Sequence, residues 1–174
     1  MNNPIQDKLL QAYDTMVKRL HDAVERAEKL AIPTIDDNLK QAQEKAIELG
    51  ELTREEANKV ASYLKRDLED VSAYLQETQE EFSEWLSFES VLVEGKIGDW
   101  INSVADKTKL EWDKLSLDAS KSQLYHSGEV TGPGTLKCVS CEQTLHFKKT
   151  GHIPPCPTCH KTEFKRQRKK ATKK

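Results

Sequence analysis

Apolar side chains recur at alternating steps of three and four residues through most of the first 86 positions, the spacing expected of amphipathic helices. The first stripe covers residues 9–30 and ends before Pro33, whose ring cannot continue a helix. A second stripe covers residues 35–49 and is followed by Gly50, a residue type that often ends helices. The pattern therefore predicts two helices joined by a short loop.

A third and longer stripe begins at Thr53-Arg-Glu-Glu56, which has the form of a helix-capping box. The stripe continues to residue 86, so the helix would be about 50 Å long at a rise of 1.5 Å per residue. Two alternatives follow: an antiparallel hairpin or bundle in which the stripes pack on one another, or self-association of residues 53–86 as a coiled coil. Weaker stripes over residues 88–104 and 106–117 predict further helical segments.

The pattern changes after about residue 120, where period-two alternation and turn residues replace the helical stripes. Residues 125–130 alternate apolar and polar side chains, and Thr131-Gly-Pro-Gly134 is a turn cluster. Further strand-like segments occupy residues 135–137, 144–147 and 162–165. The apolar side chains that could form a small core in this region are Leu136, Leu145, Phe147, Ile153 and Phe164.

All four cysteines lie in this region as two pairs, Cys138-Val-Ser-Cys141 and Cys156-Pro-Thr-Cys159, with fourteen residues between them. Two C-x2-C turns at this separation are typical of a four-thiolate zinc ribbon, because each turn directs two sulfurs to one point. We expect one structural Zn²⁺, since four sulfurs fill the tetrahedron and leave no position for substrate. Disulfides and thiol redox chemistry are the alternatives, and His160 is a rival metal ligand.

These patterns predict a mainly α fold: an antiparallel helical hairpin or bundle with a long helix, followed by a small C-terminal β zinc ribbon. The helical, coiled-coil-like region would cover residues 1–120, and the ribbon with its preceding strand would cover residues 121–166. Residues 167–174 form a basic tail without an apolar face, which we expect to be disordered.

The charges are divided unevenly along the chain. Residues 1–120 contain 15 basic and 26 acidic residues, whereas residues 121–174 contain 12 basic and 3 acidic ones. Such asymmetry indicates either that the two ends attract each other or that the basic end meets a polyanion. For the second case, Phe147 and Phe164 could stack on bases. The candidate phosphate contacts are Lys148, Lys149, Lys161, Lys165, Arg166, Arg168, Lys169 and Lys170.

The sequence shows no set of residues that predicts catalysis. The helix carboxylates fall between stripe positions, where solvated surface is expected. The turn cluster at residues 131–134 lacks the spacing and the lysine of a phosphate-binding loop. No apolar run approaches the ~20 residues that cross a bilayer, and the first residues do not have the form of a secretory signal. We therefore expect a cytoplasmic, non-membrane protein whose thiols stay reduced.

Several segments carry a family resemblance. They are Gly50-Glu-Leu-Thr-Arg54, Arg66-Asp-Leu-Glu69, Asp106-Lys-Thr-Lys-Leu-Glu-Trp112, Tyr125-His-Ser-Gly-Glu-Val130 and the two cysteine pairs. With them the chain resembles a bacterial zinc-ribbon-containing family of unknown function, the YbeL-like proteins. The resemblance implies a helical region joined to a C-terminal zinc ribbon with all four cysteines as ligands, and it implies no catalytic residue. The lysines after Arg166 extend beyond the family pattern.

The sequence thus favours a non-enzymatic zinc-binding protein that acts as an adaptor or regulator. Its helical arm would contact a protein partner, and its ribbon would serve as a recognition element. The alternative is a nucleic-acid-binding protein that uses the basic ribbon and tail. Against this alternative, the acidic helices would repel the same polyanion.

Overall fold

The computed structural model describes residues 4–26, 35–78 and 124–167, and every structural statement below concerns those residues. Three helices come first: α1 at Pro4–Arg26, α2 at Ile35–Glu48 and α3 at Arg54–Thr78. They confirm the three helices predicted from the apolar stripes. The predicted continuation of the third helix to residue 86 and the helical segments at 88–104 and 106–117 lie outside the described residues.

The turn between α2 and α3 is formed by two local capping arrangements. Gly50 has a φ of +68°, and its N–H donates to the Ile47 carbonyl at 3.0 Å, while the Glu51 N–H donates to the Ala46 carbonyl at 3.0 Å. This pair of bonds is a Schellman motif, which satisfies carbonyls that the helix end leaves free. The predicted capping box then starts α3, since Thr53 and Glu56 each accept a hydrogen bond from the other's backbone N–H.

The helices α2 and α3 are antiparallel. Gln43 near the end of α2 bonds Asn58 near the start of α3, while Asp36 at the start of α2 pairs with Lys65 further along α3. The apolar stripe of α3 is buried with side chains of α1 and α2 in one core, which also includes Val130 from the C-terminal region. Over residues 57–68, the apolar stripe that could form a coiled coil therefore packs against other helices of the same chain. Self-association remains a prediction.

The C-terminal region, residues 124–167, is called the ribbon below. Its strands are β1 at Tyr125–His126, β2 at Val130–Thr131, β3 at Gly134–Cys138, β4 at Thr144–Phe147, β5 at Gly151–His152 and β6 at Glu163–Arg166. An antiparallel four-stranded sheet has the order β1-β6-β3-β4, and β2 pairs with β5 in a separate two-stranded sheet. The fold is therefore less uniformly helical than predicted, because this antiparallel region is a substantial part of it.

The single strand predicted over residues 125–130 is wrong in one respect. Gly128 has a φ of +90°, and the Glu129 N–H donates to the His126 carbonyl at 3.2 Å, which makes a tight turn in the middle of the segment. The turn divides the segment into β1 and β2, which belong to different sheets. Tyr125 and Val130 are both buried although an odd number of positions separates them, so the turn interrupts the two-residue period that one continuous strand would keep.

The predicted ribbon core is confirmed. Leu136, Ile153 and Phe164 are buried beside Cys138 and Cys156, and Leu145 and Phe147 are partly buried against them. Tyr125 is a further member of this core and is fully buried. The core lies directly beside the sulfurs, so the fold of the ribbon and the position of the cysteines depend on each other.

The ribbon packs on the helices through its smaller sheet, with β2 against α1 and α3 and β5 against α1. Val130 of β2 is fully buried in the helical core. His152 of β5 lies with Nε2 2.7 Å from the backbone oxygen of Gln6 in α1. No helix among the described residues is both long and apolar enough to span a lipid bilayer.

Candidate metal centre

The four cysteine side chains converge on one point. All four Sγ atoms lie within 4.8 Å of one another, with 3.6 Å between those of Cys138 and Cys159 and 3.4 Å between those of Cys141 and Cys156. For zinc–sulfur bonds of about 2.3 Å, the sulfurs of a regular tetrahedron are about 3.8 Å apart. A disulfide requires about 2.05 Å, and all four cysteines are free thiols. The arrangement matches tetrahedral metal coordination.

Two turns with the same hydrogen bonds present the four sulfurs. In the first turn, the Cys138 N–H donates to the Gln143 carbonyl at 2.8 Å and the Glu142 N–H donates to the Cys138 carbonyl at 3.0 Å. In the second turn the equivalent bonds join Cys156 to Lys161 at 2.9 Å and His160 to Cys156 at 2.9 Å. The C-x2-C spacing therefore produces two copies of one knuckle, and each contributes half of the sulfur site.

The residue after each second cysteine has an unusual backbone. Glu142 has a φ of +62° and His160 a φ of +58°, a left-handed conformation that glycine adopts most readily. His160 is exposed and lies outside the cluster of four cysteines that could hold a metal. Its contribution is a backbone bond that closes the second knuckle, so the structure does not support His160 as a metal ligand.

The electrostatics of the thiols favour a cation at their centre. Burial raises the pKa of Cys156, but backbone N–H groups of Cys159 and Thr158, together with the thiols of Cys141 and Cys159, more than offset this effect and lower the pKa to about 6. At Cys141 the Gln143 backbone N–H lowers the pKa, but contacts with the other three thiols and burial outweigh it and raise the pKa to about 12. One sulfur thus ionises readily, whereas a divalent cation is needed to offset the charge of all four.

The residues present fit Zn²⁺. Cys138, Cys141, Cys156 and Cys159 would hold it as four thiolates, completing the coordination sphere. Bound there, zinc would supply a structural cross-link between the two knuckles rather than an open Lewis-acid position. Cys138 ends β3, and Cys156 is buried next to the ribbon core, so this cross-link would fix the strands as well as the turns.

The basic residues predicted to contact phosphate have different environments. Lys148, Lys149, Lys161 and Lys165 are exposed on the ribbon, whereas Arg168, Lys169 and Lys170 lie outside the described residues. The environment of Arg166 differs from the prediction. Its side chain is only 9% exposed and pairs with Asp67, so it is not available to contact a phosphate. Phe164 is fully buried and cannot stack on a base, while Phe147 is partly buried against the ribbon core.

A buried polar interface between the helices and the ribbon was not predicted. Its centre is the Asp67 carboxylate of α3, which accepts hydrogen bonds from Tyr13 Oη at 2.6 Å, the Gly132 N–H at 2.7 Å, and Arg166 Nη2 and Thr131 Oγ1 at 3.2 Å each. Three of these four donor residues belong to the ribbon. A buried carboxylate with this many partners has its lone pairs well satisfied.

A second carboxylate, one helical turn further along α3, completes the interface. Asp70 accepts a hydrogen bond from Tyr125 Oη at 2.5 Å, and Arg166 Nε donates to that same tyrosine oxygen at 3.0 Å. Burial alone would lower the pKa of Arg166, but the neighbouring Tyr125 and Asp67 more than offset it and keep the guanidinium charged. Arg166 is therefore the ribbon cation that pairs with Asp67 and Asp70, while Arg66 of the same helix lies with Nε 3.9 Å from Asp67 Oδ1.

Arg66 of α3 forms the reverse pair, in which the helix supplies the cation and the ribbon supplies the acid. Its Nη1 donates to Glu129 and, at 3.3 Å, to the Leu124 carbonyl, and its guanidinium lies 3.7 Å from the Tyr125 ring centroid. Its Nε and Nη2 are buried and have no hydrogen-bond partner within the described part of the chain, and the aromatic rings of Tyr125 and Tyr63 face the group. The helix and the ribbon thus each contribute one arginine that pairs with an acid of the other.

The turn cluster Thr131-Gly-Pro-Gly134 surrounds the Arg166 guanidinium. Arg166 Nη1 donates to the Pro133 carbonyl at 2.9 Å, and Nη2 donates to Thr131 Oγ1 at 2.7 Å. A Cβ at Gly134 would lie 2.1 Å from Arg166 Nη1, so glycine is needed there for the guanidinium to fit. The sequence did point to this interface. Two of the segments that carry the family resemblance, residues 66–69 and 125–130, contact each other there.

The fold and the cysteine geometry define a protein in which a zinc ribbon is docked on the three packed helices α1, α2 and α3, together called the helical hairpin below. The chain belongs to the family described as the zinc-ribbon containing domain, whose model matches residues 22–168. It is similar to the protein called uncharacterized protein YbeL in three strains of Escherichia coli, with 32% identity over 161 residues, covering 92% of this chain and 97% of the relative. No solved structure matches the chain significantly.

Proposed function

We propose that this protein is a non-enzymatic, zinc-stabilised adaptor of the cytoplasm. One Zn²⁺ ion on the four cysteines would hold the ribbon in its folded form, and the ribbon and helices together would present a surface to a protein partner. The observation that carries the proposal is the convergence of four sulfurs from two matching knuckles within 4.8 Å. Four thiolates occupy every tetrahedral position, which favours a structural over a catalytic metal.

The docking of the ribbon supports a composite binding surface. Because β2 and β5 pack on α1 and α3, the ribbon is held against the helical hairpin rather than attached to it only by the intervening chain. A ribbon of about forty residues has too little apolar surface to fold alone, so the metal and the helices must supply the remaining stability. A partner would then meet one rigid surface built from both regions.

The zinc site is tested by metal analysis of the protein purified under reducing, metal-replete conditions. We expect one zinc per chain and a loss of zinc when Cys138 and Cys156 are both replaced by serine. Replacing Ser140, an exposed residue of the first knuckle, by alanine is the matched control and should leave the zinc content unchanged. Absence of zinc from the unmodified protein would contradict the proposal.

The adaptor role is tested by affinity capture from cell extract with the zinc-loaded protein and with the Cys138→Ser/Cys156→Ser variant, each with and without nuclease. A protein captured only by the zinc-loaded form, and retained after nuclease treatment, should then bind directly when both are purified. Capture that is identical for both forms would show that the folded ribbon takes no part in the binding surface.

Nucleic-acid binding is the second candidate, and the four exposed ribbon lysines are the observation that favours it. Phosphate contacts make affinity fall steeply as salt is raised, by a slope that counts the contacts. The protein should be titrated across salt with and without residues 167–174, because a deletion that begins after Arg166 preserves the buried pair with Asp67. Undetectable or salt-insensitive binding would rule this candidate out.

A further inference from the structure

Two buried acids of α3, Asp67 and Asp70, accept hydrogen bonds from the ribbon. Among the described residues, Tyr13, Thr131, Gly132 and Arg166 donate hydrogen bonds to Asp67, and the last three belong to the ribbon. Asp70 is bonded by Tyr125, also from the ribbon. The Asp67 side chain is only 8% exposed, so water cannot replace these partners while the ribbon remains docked.

The groups that reach these acids lie on strands joined directly to the knuckles. Arg166 is on β6, where its neighbour Phe164 pairs with Cys138 of β3. The Thr131-Gly-Pro-Gly134 turn leads into β3, which ends at that same cysteine. The sulfur site therefore sets the position of β3 and β6, and through these strands it sets the position of the groups that bind Asp67.

We propose that zinc occupancy controls the docking of the ribbon on the helical hairpin through the contact between Arg166 and Asp67, so that metal loss releases the ribbon and uncovers the acidic face of α3. The proposal rests on the structural zinc site proposed above and adds a regulated contact to it. With zinc bound, β6 holds Arg166 in the cradle of residues 131–134. Without zinc, the ribbon loses its main cross-link, and Thr131, Gly132 and Arg166 separate from Asp67 together.

The coupling must act in both directions. If zinc favours the docked state, then docking contacts favour zinc by the same factor, because the two equilibria are linked. A change on α3 that weakens docking should therefore weaken zinc binding, even though Asp67 is not a member of the sulfur cluster. This outcome distinguishes a coupled contact from an interface that only adds stability.

The first test compares zinc affinity, by competition with a chromophoric chelator, in two matched pairs of variants. Asp67→Asn is compared with Asp36→Asn, an exposed acid of α2 that pairs with Lys65. Arg166→Gln is compared with Lys165→Gln, the exposed neighbour on the same strand. We expect zinc affinity to fall by about tenfold or more in Asp67→Asn and Arg166→Gln, and to change little in the two controls.

Two results distinguish a failure of the proposed zinc site from a failure of the proposed coupling. If the unmodified protein binds no zinc, the proposed structural zinc site itself fails. If it binds zinc but Asp67→Asn and Arg166→Gln hold the metal as tightly as their controls, the zinc site stands and the coupling is overturned. Circular dichroism of each variant confirms that the helices are retained, so that a loss of affinity is not a general loss of fold.

The second test needs no substitution. Zinc is removed from the unmodified protein with a chelator under reducing conditions, and backbone amide exchange of α1 and α3 is followed by NMR. We expect amides around Tyr13 and Asp67 to exchange at least about tenfold faster without zinc, while amides at the α2–α3 turn change little. Unchanged exchange around Asp67 in the zinc-free protein would overturn the proposal.

Discussion

At the scale of single residues, the buried ion pair of Asp67 and Arg166 is the most consequential contact between the helices and the ribbon. Its stability depends on complete hydrogen bonding, because desolvation of two charges offsets much of their attraction. Tyr13, Thr131 and Gly132 satisfy the remaining capacity of the carboxylate. Loss of one member of such a pair typically costs about 3 to 5 kcal/mol, since the other charge is left buried.

Gly134 offers a test of this contact that leaves every charge in place. The Gly134→Ala variant would place a Cβ 2.1 Å from Arg166 Nη1 in a backbone with φ of +143°. We expect its free energy of unfolding to fall by about 1 to 3 kcal/mol from the backbone alone and by about 1 to 3 kcal/mol more from the displaced guanidinium. Urea denaturation of the zinc-loaded protein measures the loss.

Gly128→Ala is the matched control for that variant. Gly128 also has a positive φ, of +90°, but a Cβ there would have no atom of the described residues within 4 Å. This variant should show the backbone cost only. Equal losses in the two variants would show that the packing of Arg166 in its cradle contributes little to stability.

At the scale of elements, local patterns predicted most of what was found. The capping box at Thr53, the stop at Gly50 and the C-x2-C knuckles each involve residues within a few positions of one another, and their geometry follows from residue type. The division of residues 125–130 into two strands was missed, because the turn at Gly128 lies between two short apolar-ended segments that together have the length of one strand. Short strands with one internal glycine are poorly defined by period alone.

The two knuckles also carry a feature that residue type would not predict, since Glu142 and His160 occupy positions where glycine is favoured. His160→Gly should therefore raise the free energy of unfolding by about 0.5 to 1 kcal/mol, part of the left-handed cost being offset by the greater freedom of glycine in the unfolded chain. Urea denaturation of the zinc-loaded protein is the measurement. His160→Ala keeps the backbone cost and should be near neutral.

Zinc affinity in the same two variants examines the rival assignment of His160. With four cysteine ligands, both variants should bind zinc at least as tightly as the unmodified protein. A marked loss of affinity in both would instead make the imidazole a ligand and contradict the four-sulfur site.

At the scale of the whole molecule, the uneven charge of the sequence is reflected in an ion pair between the helices and the ribbon. Of the two alternatives, attraction between the acidic and the basic part is seen directly where Arg166 meets Asp67, whereas the Arg66–Glu129 pair joins the two parts with the charges reversed. The sequence could not locate this contact, because helix positions 67 and 70 resemble the solvated acids beside them. The expectation of surface carboxylates holds for Glu55, which is 80% exposed, but fails for Asp67, Glu69 and Asp70, which are buried.

The buried tyrosines of the interface predict how stability depends on alkaline pH. Burial and then Asp67 raise the pKa of Tyr13, and burial also raises that of Tyr125, both well above 10. A raised pKa in the folded state means that the associated stability is present below about pH 10 and is lost as pH rises towards the folded value. Above about pH 10, stability should fall by up to about 1.4 kcal/mol per pH unit for each tyrosine.

This dependence is measured by urea denaturation of the zinc-loaded protein between about pH 8 and about pH 11. Tyr125→Phe should flatten the alkaline slope, because one of the two buried phenols is removed. Tyr63→Phe is the control: burial raises its pKa as well, but the side chain is only partly buried, so the slope should change less. The same alkaline slope in Tyr125→Phe as in the unmodified protein would contradict the assignment.

The separation of Asp67 and Arg166 along the chain affects how the protein is made. Ninety-nine positions separate the two residues. At a translation rate of about 5 to 20 residues per second, the ribosome adds Arg166 about 5 to 20 seconds after Asp67. Of the four residues that donate hydrogen bonds to Asp67 here, only Tyr13 precedes it in the chain, so the interface can be completed only after the last strand of the ribbon has emerged.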